Sequence, residues 1–231
     1  MRWRGAPDER GRTVSEIDMH DRIAAVHREI GDLPFRAGDG RSVLLRRAYE
    51  APVMDVWAAC TDPELIARWL APVTGDLHPG DRYEVQGLAT GEVLRCESPN
   101  LVKVTWEYGP DSVTEIEVRL TDAPGRSTAL ELEHTSAAAT VDALVREQGP
   151  VGPIGVGAGW DTALLALDHV VSDAPFDRAA WTGGPESRAW ARLSHRAWGD
   201  AAGAYWGLGA DAVEAAVAFA DQHFVPGEAG R

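Results

Sequence analysis

The stretch RAYEAPVMDVWAACTDPELIARWLAP, Arg47–Pro72, decides how the rest of the chain is read. It opens as a strand, with Leu45, Arg47 and Tyr49 alternating against Leu44, Arg46 and Ala48. Ala51-Pro52 ends that strand, because Pro52 has no N–H for a ladder and its fixed φ suits the first turn of a helix. Val53, Val56, Trp57 and Cys60 recur at helical spacing, so Pro52–Cys60 is predicted as a short helix with one apolar face. Thr61-Asp62-Pro63-Glu64 restarts a helix with a capping side chain, a proline at its first position and an acid in its first turn. Leu65, Ile66 and Trp69 supply the apolar side of this second helix, and Ala71-Pro72 ends it.

Upstream, Met1–Arg12 carries no period and is expected to be disordered. Ser15 with Asp18 gives a capping signal, and Met19, Ile23, Val26 and Ile30 follow at three- and four-residue spacing. The spacing predicts a helix over Ser15–Ile30, ended by Gly31, with Leu33–Gly40 as a linker. Val43–Tyr49 is then the first strand.

Downstream, short strands alternate with turns. Asp81–Gln86 places Tyr83 and Val85 on one face. Gly91–Glu97 places Glu92, Leu94 and Cys96 together. Leu101–Glu107 sets Val102, Val104 and Trp106 against Lys103, Thr105 and Glu107, the pattern of a half-buried antiparallel strand. Thr114–Leu120 turns Ile116, Val118 and Leu120 inward, and Thr128–His134 does the same with Leu130, Leu132 and His134. Thr135–Pro153 breaks the period and ends in glycines, so it is expected to be a mobile or partly helical loop and, with Gly155, Gly157 and Gly159, a held-open cavity mouth. Its glycines match neither phosphate-loop pattern. From Trp160, Leu164, Leu167 and Val171 form one helical face. Glu186–Trp206 and Asp211–Phe224 are predicted as a helical pair, with Trp190, Trp198 and Trp206 near one face.

Ala51-Pro52, Val56-Trp57, Thr61-Asp62-Pro63 and Trp69, in that order, resemble the opening of the START-like (SRPBCC) superfamily, in the branch named after the C-terminal domain of the Hsp90 ATPase activator Aha1. A second block, Gly157–Leu164, resembles the start of that family's long C-terminal helix. The resemblance implies an α+β helix-grip fold: an antiparallel sheet wrapped on a long C-terminal helix. Here it carries extra helices at both ends. The chain divides into an N-terminal arm with one helix at 1–40, a START-like domain at 41–173 and a helical hairpin at 174–231.

The composition narrows function. Acidic residues outnumber basic ones by 36 to 22, giving a formal charge of −14, against the clustered Lys and Arg of nucleic-acid or anionic-membrane surfaces. Two cysteines, Cys60 and Cys96, outside any CxxC or Cys/His cluster, suit buried thiols in a reducing compartment and suggest no metal site. The seven histidines are scattered at no ligand spacing. The N-terminus has no apolar run for a signal peptide and no stretch reaches membrane-spanning length, so a cytoplasmic protein, of bacterial composition, is expected.

The fold implies a cavity between the concave sheet face and the long helix. Trp69, Tyr83, Glu92, Leu94, Trp106, Val118, Leu132, His134, Trp160 and Leu164 are the expected lining, for a small hydrophobic or aromatic ligand with no cofactor. Glu92 and His134 are the polar members. Each has two readings: a strand-end carboxylate in water and a hydrogen-bonded rim histidine, or a general acid–base or orienting pair for a carbonyl-containing ligand. Asp161, beside Trp160, reads as an acid near a helix start. The superfamily suggests two alternatives to simple binding, a polyketide cyclase- or aromatase-like enzyme and an Hsp90-type chaperone-interaction module. The tryptophan face of the C-terminal hairpin is expected to dock on the main domain or on a second copy, as a homodimer.

Overall fold

The computed structural model describes residues 14–36, 38–109 and 112–225. Met1–Arg12 lies outside them. Among the described residues eight strands form one antiparallel sheet, ordered β1-β2-β8-β7-β6-β5-β4-β3. The strands are β1 His27–Phe35, β2 Gly38–Tyr49, β3 Val73–Gly75, β4 Arg82–Val85, β5 Ala89–Glu97, β6 Leu101–Gly109, β7 Ser112–Ala123 and β8 Ser127–Ala137. After β2 the chain crosses the sheet through α2 (Val53–Thr61) and α3 (Pro63–Trp69), then returns strand by strand until β8 pairs with β2. Pro52 occupies the N-cap of α2 and Pro63 the first turn of α3, where the Asp62 carboxylate accepts from the N–H groups of Glu64 (2.8 Å) and Leu65 (3.3 Å). Trp57 and Trp69 are both buried, as the apolar spacing predicts.

The long helix, α5, spans Val151–Val171 and is preceded by α4 (Ala138–Gln148). The glycine-rich stretch from Gly152 to Gly159 is therefore helix rather than an open mouth, and the segment expected as a mobile or partly helical loop is mostly the helix α4. Glycine is a poor helix former, but packing overrides that preference here. A Cβ on Gly157 would stand 2.2 Å from the Trp198 ring, so only glycine lets the indole lie against the helix backbone. Trp198 belongs to α7 (Pro185–Trp206), which packs on α5 and is followed by α8 (Ala210–Phe224).

The N-terminal arm also differs from expectation. α1 ends at Ala24 and β1 begins at His27. Ile30 pairs with Val43 across the β1–β2 hairpin, and both are buried. A helix followed by a strand put Ile23, Val26 and Ile30 on the core side, and the spacing imitated one longer helix. The expected Leu33–Gly40 linker is the closing end of that hairpin. Gly31, expected as a helix stop, lies inside β1.

The tryptophan face of α7 is covered within the chain. Trp190 packs with Ile23 of α1 and Leu165 of α5, Trp198 joins the main core, and Trp206 is half-buried. The short α6 (Arg178–Trp181) sends the Arg178 guanidinium to the Trp69 and Leu70 carbonyls at the end of α3.

Candidate functional site

Cross-strand register decides what the concave face offers. Val102, Val104 and Trp106 of β6 pair with Val118, Ile116 and Thr114 of β7, while Val118 and Ile116 pair with Leu132 and His134 of β8. Side chains two apart share a face, so each strand runs from an aliphatic end to a polar or aromatic end. β7 reads Val118, Ile116, Thr114, Ser112. β8 reads Leu132, His134, Ser136. β6 reads Val102, Val104, Trp106, Tyr108.

The aliphatic end walls an inner cavity of about 320 Å³. Trp69 closes it from α3, its indole N–H donating to the Ala59 carbonyl at 2.9 Å. Trp106 and Trp160 meet edge to face in its wall, with ring centroids 5.7 Å apart. Tyr83 faces it from β4 and donates its hydroxyl to the Thr105 carbonyl at 2.6 Å. Val118 and Leu132 complete the sequence-predicted residues in this lining. Cys60, Ile66, Leu70 and the turn through Asp76 also line it. The turn was missed because β3 is three residues long and shows no alternation, and Cys60 and Ile66 were read as apolar helix faces with no signal for which of them meets the cavity. Burial pushes the Cys60 thiol up to about 12, so it stays protonated.

Three expected members lie elsewhere. Glu92 stands opposite Arg82 in the register, on the face that carries Glu107, and its N–H donates to the Thr105 hydroxyl at 2.8 Å. Leu94 is 39% exposed. The β5–β6 register shifts between Val93 and Arg95, and Val93, on the opposite face from Glu92, is the buried residue there. Leu164 is fully buried in the core, and its carbonyl accepts from the Tyr49 hydroxyl at 3.1 Å.

His134 stands in the partition between the inner cavity and a second, outer one. Its Nδ1 accepts from the Trp160 indole N–H at 3.0 Å, and its Nε2 lies 2.8 Å from the Thr114 hydroxyl. That hydroxyl donates to the Trp106 carbonyl at 2.9 Å, so it accepts from His134 Nε2–H. Both ring nitrogens are used and the ring is neutral. Burial lowers its pKa to about 4 from the ordinary 6.5.

A consequence follows for stability. The unfolded chain takes up this proton below about pH 6.5, the folded chain only below about pH 4. Stability from His134 is complete above pH 6.5 and falls as pH drops toward 4, by about 3 kcal/mol. Urea melts at pH 7 and pH 4 should show wild type losing that much more than His134→Gln. Matching losses in the two proteins would mean that His134 is not held neutral.

Asp161 is no helix-start acid. It lies mid-way along α5, fully buried, and takes both Nε and Nη2 of Arg28 at 3.0 Å. The Ser194 hydroxyl and the Trp198 indole N–H, at 3.0 Å, also donate to it. It fastens α5 to β1 and α7 and does not reach the cavity.

Among the described residues no group of three His, Cys, Asp or Glu side chains is placed to hold a metal, and no helix is long and apolar enough to cross a membrane.

An antiparallel sheet gripping one long helix, with a cavity between them, defines the START-like (SRPBCC) class. Within it the chain belongs to the family described as Activator of Hsp90 ATPase homolog 1-like protein, whose model matches residues 50–172. CalU16 from Micromonospora echinospora is similar. Its crystal structure is 35% identical, with a TM-score of 0.61 over 77% of this chain and 98% of CalU16. Its solution NMR structure gives 34% identity and a TM-score of 0.65, over 80% and 97%. EF2215 from Enterococcus faecalis, 14% identical with a TM-score of 0.52 over 78% and 94%, shares the fold alone. A comparison with curated proteins gives no match.

Proposed function

We propose that this chain binds a small hydrophobic or aromatic molecule in the inner cavity. The observation that carries the proposal is the cavity itself: about 320 Å³, walled by Trp69, Trp106, Trp160 and aliphatic side chains. Three indoles offer a flat ligand a large contact area at little cost in side-chain freedom. The cavity is complete in one chain, so a homodimer is not needed for it. The free thiols of Cys60 and Cys96 agree with a reducing, cytoplasmic setting.

No observation favours a cyclase- or aromatase-like reaction over binding. Such a reaction would need a free acid–base group in the cavity. Of the two candidates from the sequence, His134 has both nitrogens engaged and Glu92 is across the sheet, while the carboxylate in the lining, Asp76, stands exposed in the turn after β3. A chaperone-interaction role rests on the family's name.

N-phenyl-1-naphthylamine, a neutral probe, should bind the native protein and gain fluorescence. Val118→Trp, which fills the cavity, should weaken binding by at least tenfold, about 1.4 kcal/mol. Glu131→Ala, on the outer sheet face beside Arg46, should leave it unchanged. Equal effects of the two substitutions, in proteins that still melt cooperatively, would end the cavity assignment.

A further inference from the structure

Beyond the partition, at the polar end of the concave face, lies the outer cavity of about 300 Å³. Its floor is the same three strands two residues further along, joined by Ile30 of β1 and by Ser42 and Val43 of β2. There Tyr108 replaces the valines of β6, Thr114 and Ser112 replace the aliphatics of β7, and His134 and Ser136 replace Leu132 of β8. α4 and the first turns of α5 roof it through Val141, Leu144, Pro153 and Val156, and Trp206 of α7 closes one side. The expected loop over Thr135–Pro153 hid this cavity from the sequence, because its roof is made of that segment.

We propose that the outer cavity is a second binding site, which takes a small uncharged aromatic molecule carrying hydroxyl or carbonyl groups. Four features select that class. First, three rings line the cavity. The Tyr108 and His134 rings lie nearly parallel, 20° apart with centroids 6.4 Å from each other, and Trp206 stands at the side. These two rings stack on each other, so the surface they offer a flat guest is the exposed ring of Tyr108. Second, the half-buried Ser136 hydroxyl has no hydrogen-bond partner among the described residues, while Thr140 stands exposed at the mouth. A guest oxygen would satisfy Ser136. Third, the one cation in the lining is already closed. Arg41 gives its Nε and Nη2 to Asp142 at 3.0 and 2.7 Å and its Nη1 to Asp32 at 2.7 Å. An anionic guest would find no free positive charge there, and Asp142 and Asp32 would repel it. Fourth, the cavity is separate from the inner one. Trp160, His134, Thr114 and Trp106 form an unbroken chain of hydrogen bonds between them, with no donor or acceptor of His134 left over. An apolar guest in the inner cavity and an oxygen-bearing guest in the outer one therefore do not compete for space. This proposal does not rest on ligand binding in the inner cavity.

The test uses 2-naphthol in titration calorimetry on the full chain. One molecule per chain should bind even when the inner cavity is saturated with N-phenyl-1-naphthylamine, and equally in Val118→Trp. Ser136→Ala, which removes the hydroxyl and adds no atom, should raise the 2-naphthol Kd by about three- to tenfold, the effect of one hydrogen bond. It should leave N-phenyl-1-naphthylamine binding unchanged. Displacement of 2-naphthol by the apolar probe would overturn the proposal, because the two cavities would then act as one. So would a Ser136→Ala protein with wild-type affinity, or a wild-type protein that takes up no 2-naphthol. Failure of the apolar probe alone would count against the inner cavity only, since the Ser136→Ala comparison reads the outer site without it.

Discussion

Asp161→Ala should cost the fold about 3–5 kcal/mol in a urea melt, the range for removing one partner of a buried ion pair. The substitution leaves the Arg28 guanidinium, whose side chain is 7% exposed, without its counter-charge. Arg28 Nη1 keeps the carbonyls of Ile23 and Val26, at 2.8 and 2.9 Å, but these do not neutralise it. Ser194 and Trp198 lose their acceptor at the same time, so the seat of α7 on α5 is loosened. Replacing both charges with apolar residues, Arg28→Met with Asp161→Leu, should cost less than the two single changes added together. A loss below about 1 kcal/mol in Asp161→Ala would mean that the carboxylate is not buried against Arg28.

Trp57→Ala is the other large expected effect, again about 3–5 kcal/mol, from the cavity left by a truncated aromatic. Trp57 and the fully buried Val56 form the side of α2 that meets the sheet and α5. The helix has no side-chain N-cap, so packing holds it more than local bonding does. A melt showing less than about 1 kcal/mol would place Trp57 in solvent and α2 elsewhere.

These two residues mark what the sequence reveals and what it hides. Trp57 was legible because Pro52, the helical spacing of Val53, Val56 and Trp57, and the Asp62-Pro63 cap are local signals that agree. The strand faces of β6, β7 and β8 were legible for the same reason, since alternation is local and the buried face is constant. Asp161 was not, because its meaning depends on Arg28, 133 residues away, and on helix α7. The glycines of α5 misled for a related reason: Gly157 is a glycine because Trp198 lies against it and leaves no room for a Cβ, and no local rule reports that. Glu92 was misplaced because β5 keeps its alternation, while the face of it that turns inward is fixed by its neighbours β4 and β6. Of the expected lining, Trp69, Tyr83, Trp106, Val118, Leu132 and Trp160 gather around one cavity, while His134 stands in the partition beside it.

The most direct measurement is a ¹⁵N–¹H spectrum of the tryptophan indoles during titration with N-phenyl-1-naphthylamine. The indole signals of Trp69, Trp106 and Trp160 should shift in step and saturate together, while those of Trp190 and Trp198, sealed under α7, should stay in place. Shifts led by Trp190 and Trp198, or none at Trp69, Trp106 and Trp160 at saturation, would contradict ligand binding in the inner cavity.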